Sequence, residues 1–246
     1  MLHFNNEKRI DFFVPNEIIP DFRIIEYKTN SHYAFLVAYY ILISFLFYRC
    51  SYAREKILIS DIKRVLGLNE NNKSIDYLIR NKGLLDKLGY TISTNNYAVS
   101  KEYINDLSIF KFNYVNDYKN VKFLGKSHNY KVKYPVKGFY RDTLNKNEEN
   151  GTFFNVKNTI KIDMNTFYEI IHDEELGVIG FLIYLNFKKL KRLRIGYKKL
   201  SETLLISERC IKKKIKTLEQ DGYIYVEHAK YDYKNNKTNA NTYRVY

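Results

Sequence analysis

The chain contains little cysteine and no clustered histidine. Its two cysteines, Cys50 and Cys210, belong to no Cys-x-x-Cys or Cys/His spacing, which argues against a disulfide framework or a zinc site. The five histidines are scattered, and no Gly-x-Ser-x-Gly segment is present. Three consecutive carboxylates at 173–175 stand where a helix is predicted to begin, and capping is favoured there over metal binding. We therefore expect a cytoplasmic, non-enzymatic protein with no metal or cofactor.

Long apolar runs are also rare, with one exception at residues 29–48. This stretch carries no formal charge. Its strongly apolar part, residues 33–48, is shorter than the ~20 residues that a membrane-spanning helix needs, and its tyrosines are spread along its length. A core helix that also serves a homodimer interface is favoured over a membrane helix, which stays the alternative. The first twenty residues lack a signal-peptide pattern, so we expect neither secretion nor membrane insertion.

Negative charge is in short supply as well. Lys and Arg outnumber Asp and Glu by 41 to 27, which gives a formal net charge of +14 and a pI near 9.4. The excess is largest at the carboxyl end, where residues 160–246 carry 17 basic and 11 acidic side chains. A strongly basic chain favours a polyanionic partner. The length of 246 residues suggests two domains.

The last fifty residues contain the most informative pattern, which begins with two helices. Leu200 and Leu204 give a short helix one apolar face, and Leu205 and Ile206 fill a turn. Ser207 is placed to cap a second helix, because its hydroxyl can accept from an unpaired backbone amide. The buried stripe of that second helix is predicted at positions four and three residues apart, Ile211, Ile215 and Leu218. The opposite face is cationic and consists of Arg209, Lys212, Lys213 and Lys216.

A glycine and two strands follow the cationic helix. Gly222 is predicted to end the helix in a left-handed conformation. Residues 223–231 and 242–246 are predicted strands, and the polar segment between them carries Lys234 and Lys237 at the tip of a wing. Helix, turn, capped basic helix and hairpin in this order are typical of a winged helix-turn-helix, whose second helix enters the major groove of DNA. A protein-interaction module of the same shape is the alternative.

A weaker copy of the same order is predicted nearer the amino end. It comprises a strand at 57–59, a short helix at 61–66 capped by Ser60, a longer helix at 73–88, a stop at Gly89, and a hairpin of residues 90–92 and 97–99. Lys73 and Arg80 lie on the outward face of its longer helix. Two functions are open for this unit: it binds DNA, or it packs and dimerises while the other unit binds.

The middle of the chain alternates apolar and polar residues over 108–134, as strands do, and residues 141–151 have almost no apolar content. We therefore predict an α+β protein with tandem winged helix-turn-helix domains, at 1–142 and 152–246, joined by a β-rich segment. The predicted DNA-binding residues are Tyr197, Lys198, Ser207, Arg209, Lys212, Lys213, Lys216, Lys234 and Lys237, with Lys73 and Arg80 in the first unit.

The carboxyl-terminal third resembles the winged-helix domain of RepA-type replication initiators from plasmids and phages of low-GC Gram-positive bacteria. The resemblance rests on a leading helix at 176–190, on the segment 200–207 ending in Leu-Ile-Ser, and on Leu-Glu-Gln-Asp-Gly-Tyr-Ile at 218–224. It implies a sequence-specific binder of double-stranded DNA that acts in replication initiation or transcription regulation with the corresponding machinery. An adaptor or inhibitor that binds a protein through the same domains is the alternative function.

Overall fold

A computed structural model describes residues 10–103, 110–118, 129–139, 158–232, 237–238 and 240–246 of the chain, and of residues 231, 232, 237 and 238 it describes the backbone. The fold is α+β, as predicted. The described helices are α1 Ile18–Arg23, α2 Ser31–Tyr48, α3 Ser51–Arg54, α4 Ile59–Val65, α5 Asp76–Ile79, α6 Leu84–Lys87, α7 Val136–Phe139, α8 Met164–His172, α9 Gly177–Leu190, α10 Tyr197–Leu204 and α11 Glu208–Gln220. The described strands are β1 Asp11–Pro15, β2 Ile92–Thr94, β3 Ala98–Tyr103, β4 Phe110–Tyr114, β5 Val132–Tyr134, β6 Thr159–Asp163, β7 Arg192–Ile195, β8 Ile224–Glu227, β9 Tyr231–Asp232, β10 Lys237–Thr238 and β11 Asn241–Val245.

Helix α2 is the centre of the core. It is apolar on every side and packs against α1, α3, α9, β1 and β5. By length and composition α2 could cross a membrane, but 89% of it is buried inside the protein, as in the core helix of a compact fold. Its aromatic rings make edge-on contacts, such as Phe47 with Phe112 at 5.4 Å between centroids. The sequence-based expectation of a core helix at this place is confirmed.

One antiparallel ladder joins two segments that are far apart in the sequence. Strand β1 pairs with β6 from Asp11 opposite Asp163 to Pro15 opposite Thr159, and α8 begins directly after β6 with Asp163 as its side-chain cap. Helix α9 then packs against α2. The proposed boundary at 141–151 lies outside the described residues, and the ladder and the α2–α9 contact connect the chain on either side of it.

The predicted long helix at 73–88 is wrong, because two short helices, α5 and α6, stand in its place. Between them Lys82 has a φ of +55°, and a side chain at Gly83 would bring a Cβ within 2.7 Å of the Arg80 carbonyl oxygen. That carbonyl accepts instead from the Lys133 ammonium at 2.9 Å, and Asp86 accepts from the Lys82 amide at 2.8 Å. A long-range hydrogen bond from Lys133 and a local one to the Asp86 side chain therefore satisfy backbone groups that a continuous helix would pair.

The other elements predicted for the first unit also differ. The predicted strand at 57–59 is wrong, because residues 56–58 have no regular secondary structure and α4 begins at Ile59. The Asp61 carboxylate accepts from the Leu58 amide at 2.9 Å, and Ser60 lies inside α4 and is not its cap. The predicted hairpin at 90–99 is wrong, because β2 pairs with β5 and β3 pairs with β4. Gly89 does end α6 with a φ of +69°, as expected. The predicted strand pattern at 108–134 is confirmed for β4 and β5.

The helices of the carboxyl-terminal part follow their prediction, while the strand predicted at 223–231 is interrupted between β8 and β9 and the strands β7 and β10 are additional. Helices α10 and α11 are joined by a tight turn in which Leu205 adopts a left-handed φ of +57°, and Gly222 follows α11 with a φ of +74°. Strands β8 and β11 pair as expected, while β7 adds to the other edge of β11 and makes an antiparallel sheet of order β7-β11-β8. Phe187 of α9 stacks on Tyr243 of β11 at 4.5 Å, which fixes this sheet to the helices.

Candidate nucleic-acid interface

Helix α11 is built as an amphipathic rod with a defined start. The Ser207 hydroxyl accepts from the Cys210 amide at 3.3 Å, which satisfies one of the backbone amides that the first turn leaves unpaired. Ile211, Ile215 and Leu218 are buried, as predicted, and pack the helix against α9 and α10. Their burial fixes the rotation of the helix about its axis, and therefore fixes which side chains face outward.

The outward face carries the predicted cations. All four of these side chains are exposed, Arg209, Lys212, Lys213 and Lys216. Because they recur at intervals of three, four and seven residues, they form one stripe along the rod. Among the residues that the structure describes, Arg209 and Lys216 have no carboxylate within ion-pair distance. Their charge is therefore available to an anionic partner.

Lys213 is already engaged within the protein. Its ammonium lies 3.4 Å from the Glu175 carboxylate, which comes from the turn before α9. The same carboxylate accepts from the Thr217 hydroxyl at 3.0 Å, and Lys214 donates to the Glu175 carbonyl. The Thr217 hydrogen bond, followed by the charge of Lys213, lowers the pKa of Glu175. Glu175 is thus ionised at neutral pH and competes with any outside anion for Lys213.

Helix α10 places Tyr197 beside this stripe. The Tyr197 ring lies 5.2 Å from the Lys212 ammonium, within cation–π distance, and its hydroxyl accepts from the Asn241 amide group at 3.3 Å. Tyr197 therefore links α10, α11 and β11. Lys198 is exposed. The structure thus brings Tyr197 to Lys212 of the cationic stripe.

The wing residues are only partly described. Lys234 lies outside the described residues, and Lys237 pairs through its backbone with Asp232 in the two-residue ladder of β9 and β10. The expected contacts of both lysines with DNA stay predictions.

Sequence reasoning missed a second cationic surface, on the outer face of the sheet. Arg192 and Arg194 are exposed at alternate positions of β7, and Arg244 lies opposite Arg192 on β11. Glu227 on β8 lies 3.7 Å from Arg192 and 3.9 Å from Arg244, so one carboxylate is shared between two guanidinium groups. The signal was the alternation of Arg-Leu-Arg-Ile at 192–195, which is typical of a half-buried strand.

The structure does not support Lys73 and Arg80 as residues of one recognition helix. Lys73 precedes α5 and Arg80 follows it, so they share no helical face. Nearby side chains carry charges of both signs. Lys63 pairs with Asp76 at 2.7 Å, and Arg64 pairs with both Glu70 and Asp61. Both predicted site residues are exposed, but this region lacks the excess of cations found along α11.

Comparison of the chain with protein-family models, curated proteins and solved structures finds no match. Arguments about function therefore rest on the residues and their geometry.

Proposed function

We propose that residues 177–246 form a winged helix-turn-helix that binds double-stranded DNA sequence-specifically, with α11 in the major groove. The observation that carries the proposal is the exposed stripe of cations on a helix whose opposite face is buried. The order α10, tight turn, α11, β8 and β11 supports it, because the second helix of such a unit presents its side chains to the bases.

The dimensions of α11 suit this role. A helix rises about 1.5 Å per residue, so Arg209 and Lys216 are separated by roughly 10 Å along the axis. The major groove is about 12 Å wide and admits a helix. Arg209, in the first turn, can form paired hydrogen bonds to a guanine edge, while Lys212 and Lys216 neutralise phosphates or contact bases. The outer sheet arginines, Arg192 and Arg194, add positive charge that strengthens attraction to DNA.

The resemblance to plasmid and phage initiators extends the proposal to a biological role. We assign DNA recognition to the carboxyl-terminal unit and propose a cytoplasmic replication initiator or transcription regulator of a mobile element. Footprinting on the DNA that flanks its own gene separates the two roles, because an initiator protects repeated sites and a regulator protects a promoter.

The test begins with selection of binding sites from random double-stranded DNA by the full chain. Affinity for the selected site is then measured by fluorescence anisotropy for the triple variant R209A/K212A/K216A and for a matched control, R49A/R54A/K87A, which removes three exposed cations elsewhere that are not predicted to bind DNA. We expect the first variant to lose about 100-fold or more in affinity, since each good contact contributes about 1–3 kcal/mol. The control should change affinity only slightly.

Salt dependence provides a second readout. The logarithm of the binding constant falls with the logarithm of salt concentration by about 0.9 for each phosphate contact. The triple variant should therefore show a shallower slope, while the control keeps the slope of the unaltered protein. Failure to enrich any site, or equal affinities for the two triple variants, would contradict the proposal and favour the protein-binding alternative.

A further inference from the structure

The outer face of the β7-β11-β8 sheet is formed by side chains that point away from the helices. Ile224, Val226 and Tyr243 are buried on the inner face, and Tyr243 stacks on Phe187 of α9. Because side chains alternate along a strand, the residues between them face outward. The outer sheet face therefore consists of Arg192 and Arg194 of β7, Thr242 and Arg244 of β11, and Tyr225 and Glu227 of β8.

Two arginines on this face stand directly opposite each other. Arg192 of β7 and Arg244 of β11 are partners in the register of the sheet. Like charges at such positions repel and destabilise a sheet. Glu227 offsets part of the repulsion, but its carboxylate lies 3.7 Å and 3.9 Å from the two guanidinium groups, and both ion pairs are exposed to water, where such pairs are weak. One carboxylate between two arginines leaves positive charge that a bound anion would neutralise.

The surface beside this pair is concave and also cationic. Arg194 and Lys230 are exposed, and among the residues that the structure describes neither has a carboxylate within ion-pair distance. Together with Arg192 they line an open groove of about 600 Å³ at the base of the wing, in which Glu227 is the one carboxylate among the described residues. Sites for small organic ligands have volumes of about 300–1,000 Å³. The groove therefore has the size and the charge to hold one nucleotide of a polyanion.

An exposed aromatic ring lies on the same face. Tyr225 of β8 is opposite Arg244 in the register and is 48% exposed. A tyrosine ring and planar guanidinium groups on one sheet offer flat surfaces on which bases stack, while the remaining arginine donors bind phosphates. In a duplex the faces of the bases are stacked on one another inside the helix, whereas in a single strand they are accessible. The outer sheet face therefore fits a single strand better than a duplex.

We propose that the outer sheet face binds single-stranded DNA, with a base on Tyr225 and phosphates on Arg192, Arg194 and Arg244. The choice of DNA over RNA rests on the proposed function of α11, while the contacts with a single strand depend only on the sheet. The outer sheet face shares no residue with the cationic stripe of α11. The chain thus holds a duplex and a single strand at two separate places.

The first experiment tests the stacking ring. Binding of a labelled oligothymidylate of about 15 nucleotides to the full chain is measured by fluorescence anisotropy. Y225A removes the ring and should bind this probe about tenfold less tightly, while Y225F keeps the ring and should stay within about twofold of the unaltered protein. Both variants should keep their affinity for the selected duplex. No binding of oligothymidylate by the unaltered protein, or equal affinities of Y225A and Y225F, overturns the proposal.

The second experiment tests the opposed arginines. R192Q/R244Q removes two like charges that face each other, so it should fold with unchanged or higher stability and bind oligothymidylate at least about tenfold less tightly. The control R49Q/R54Q removes two exposed cations elsewhere and should bind nearly as the unaltered protein does. Circular dichroism verifies the fold of each variant. An equal loss of affinity in the two variants overturns the proposal.

Two further comparisons separate this proposal from the function proposed for α11. R209A/K212A/K216A should lose the duplex and keep its affinity for oligothymidylate within about threefold, and a larger loss would place the single strand on α11 and overturn the proposal. If the unaltered protein binds no duplex but loses oligothymidylate in Y225A, only the function of α11 is contradicted. Oligouridylate of the same length should bind no more tightly than oligothymidylate, and tighter binding of the RNA overturns the assignment to DNA.

Discussion

The Glu175 carboxylate lies 3.4 Å from the Lys213 ammonium, and so one of the four cations on the α11 stripe is paired within the protein itself. The pair is exposed on both sides, and such pairs are weak in water. Under the proposed function, a DNA phosphate can therefore displace Glu175, but the displacement leaves a carboxylate close to the DNA, so Glu175 would act against binding at this position.

Substitution of Glu175 by Gln should strengthen DNA binding. The change removes a negative charge beside the stripe and keeps an acceptor for the Thr217 hydroxyl, so we expect affinity for the selected site to rise a few-fold at low salt and the gain to shrink as salt increases. Anisotropy at two salt concentrations measures both effects. E174Q removes the neighbouring charge and serves as the control. A gain of the same size in E174Q would show that net charge alone, and not the pairing with Lys213, sets the effect.

Removal of the α11 cap should weaken the whole unit. In S207A the Cys210 amide loses its side-chain acceptor, and we expect the free energy of unfolding to fall by about 1 kcal/mol, with S207D retaining most of the stability. Chemical denaturation followed by circular dichroism measures the difference. If S207A and S207D prove equally stable, the hydroxyl makes no capping contribution.

The buried pair of Lys133 and Asp86 should be the most sensitive polar contact of the amino-terminal half. Asp86 accepts from Lys133 at 2.6 Å, from the Lys82 amide at 2.8 Å and from the Thr91 hydroxyl at 2.6 Å. Its loss in D86A leaves a buried ammonium without its counter-charge, and we expect a cost of about 3–5 kcal/mol. Urea unfolding of D86A and D76A compares the two losses of free energy of unfolding. The lysine partner of Asp76 is also buried, but the Asp76 side chain itself is 41% exposed. A cost below that of D76A would refute the central role of Asp86.

Alkaline conditions should unfold the protein through its buried tyrosines. Burial raises the pKa of Tyr39 and Tyr52 above the ordinary value of 10.0, so above that pH the folded state holds protons that the unfolded state has lost. Stability is therefore complete below about pH 10 and decreases as pH rises further. Absorbance at 295 nm should show one group of the 24 tyrosines ionising reversibly and another only with loss of circular dichroism. Reversible ionisation of all of them in the folded protein would contradict this, and Y39F/Y52F should shift the unfolding to higher pH.

Local patterns in the sequence were sufficient to predict α11, its Ser207 cap and its outward cations. Each of these features depends on residues within one or two turns of helix, where spacing alone determines which side chains share a face. Asp173 differs from its predicted role as a helix cap: its carboxylate accepts from the Glu175 and Leu176 amides at 2.8 Å in the turn before α9, and α9 itself begins after Leu176 without a side-chain cap.

The errors arose where distant parts of the chain determine local structure. The apolar residues of segment 73–88 have helical spacing. However, the Lys133 ammonium donates to the Arg80 carbonyl, and the Gly83 backbone lies so close to that carbonyl that a Cβ would not fit, so the helix is interrupted there. Strand β2 pairs with β5 and not with β3, the next strand in the sequence. The turn residues at 93–96 give no information about this long-range pairing. Glu175 was predicted only as part of a helix start, because its contact with α11 crosses about forty residues of sequence.

The ladder between β1 and β6 determines how late the fold can form during synthesis on the ribosome. Thr159 is synthesised only after residues 16–158, which delays its pairing with Pro15 by roughly ten seconds or more at ordinary rates of translation. Until α9 has also been made, it cannot cover its part of the apolar surface of α2, and apolar surface left open on an incomplete chain is what chaperones bind.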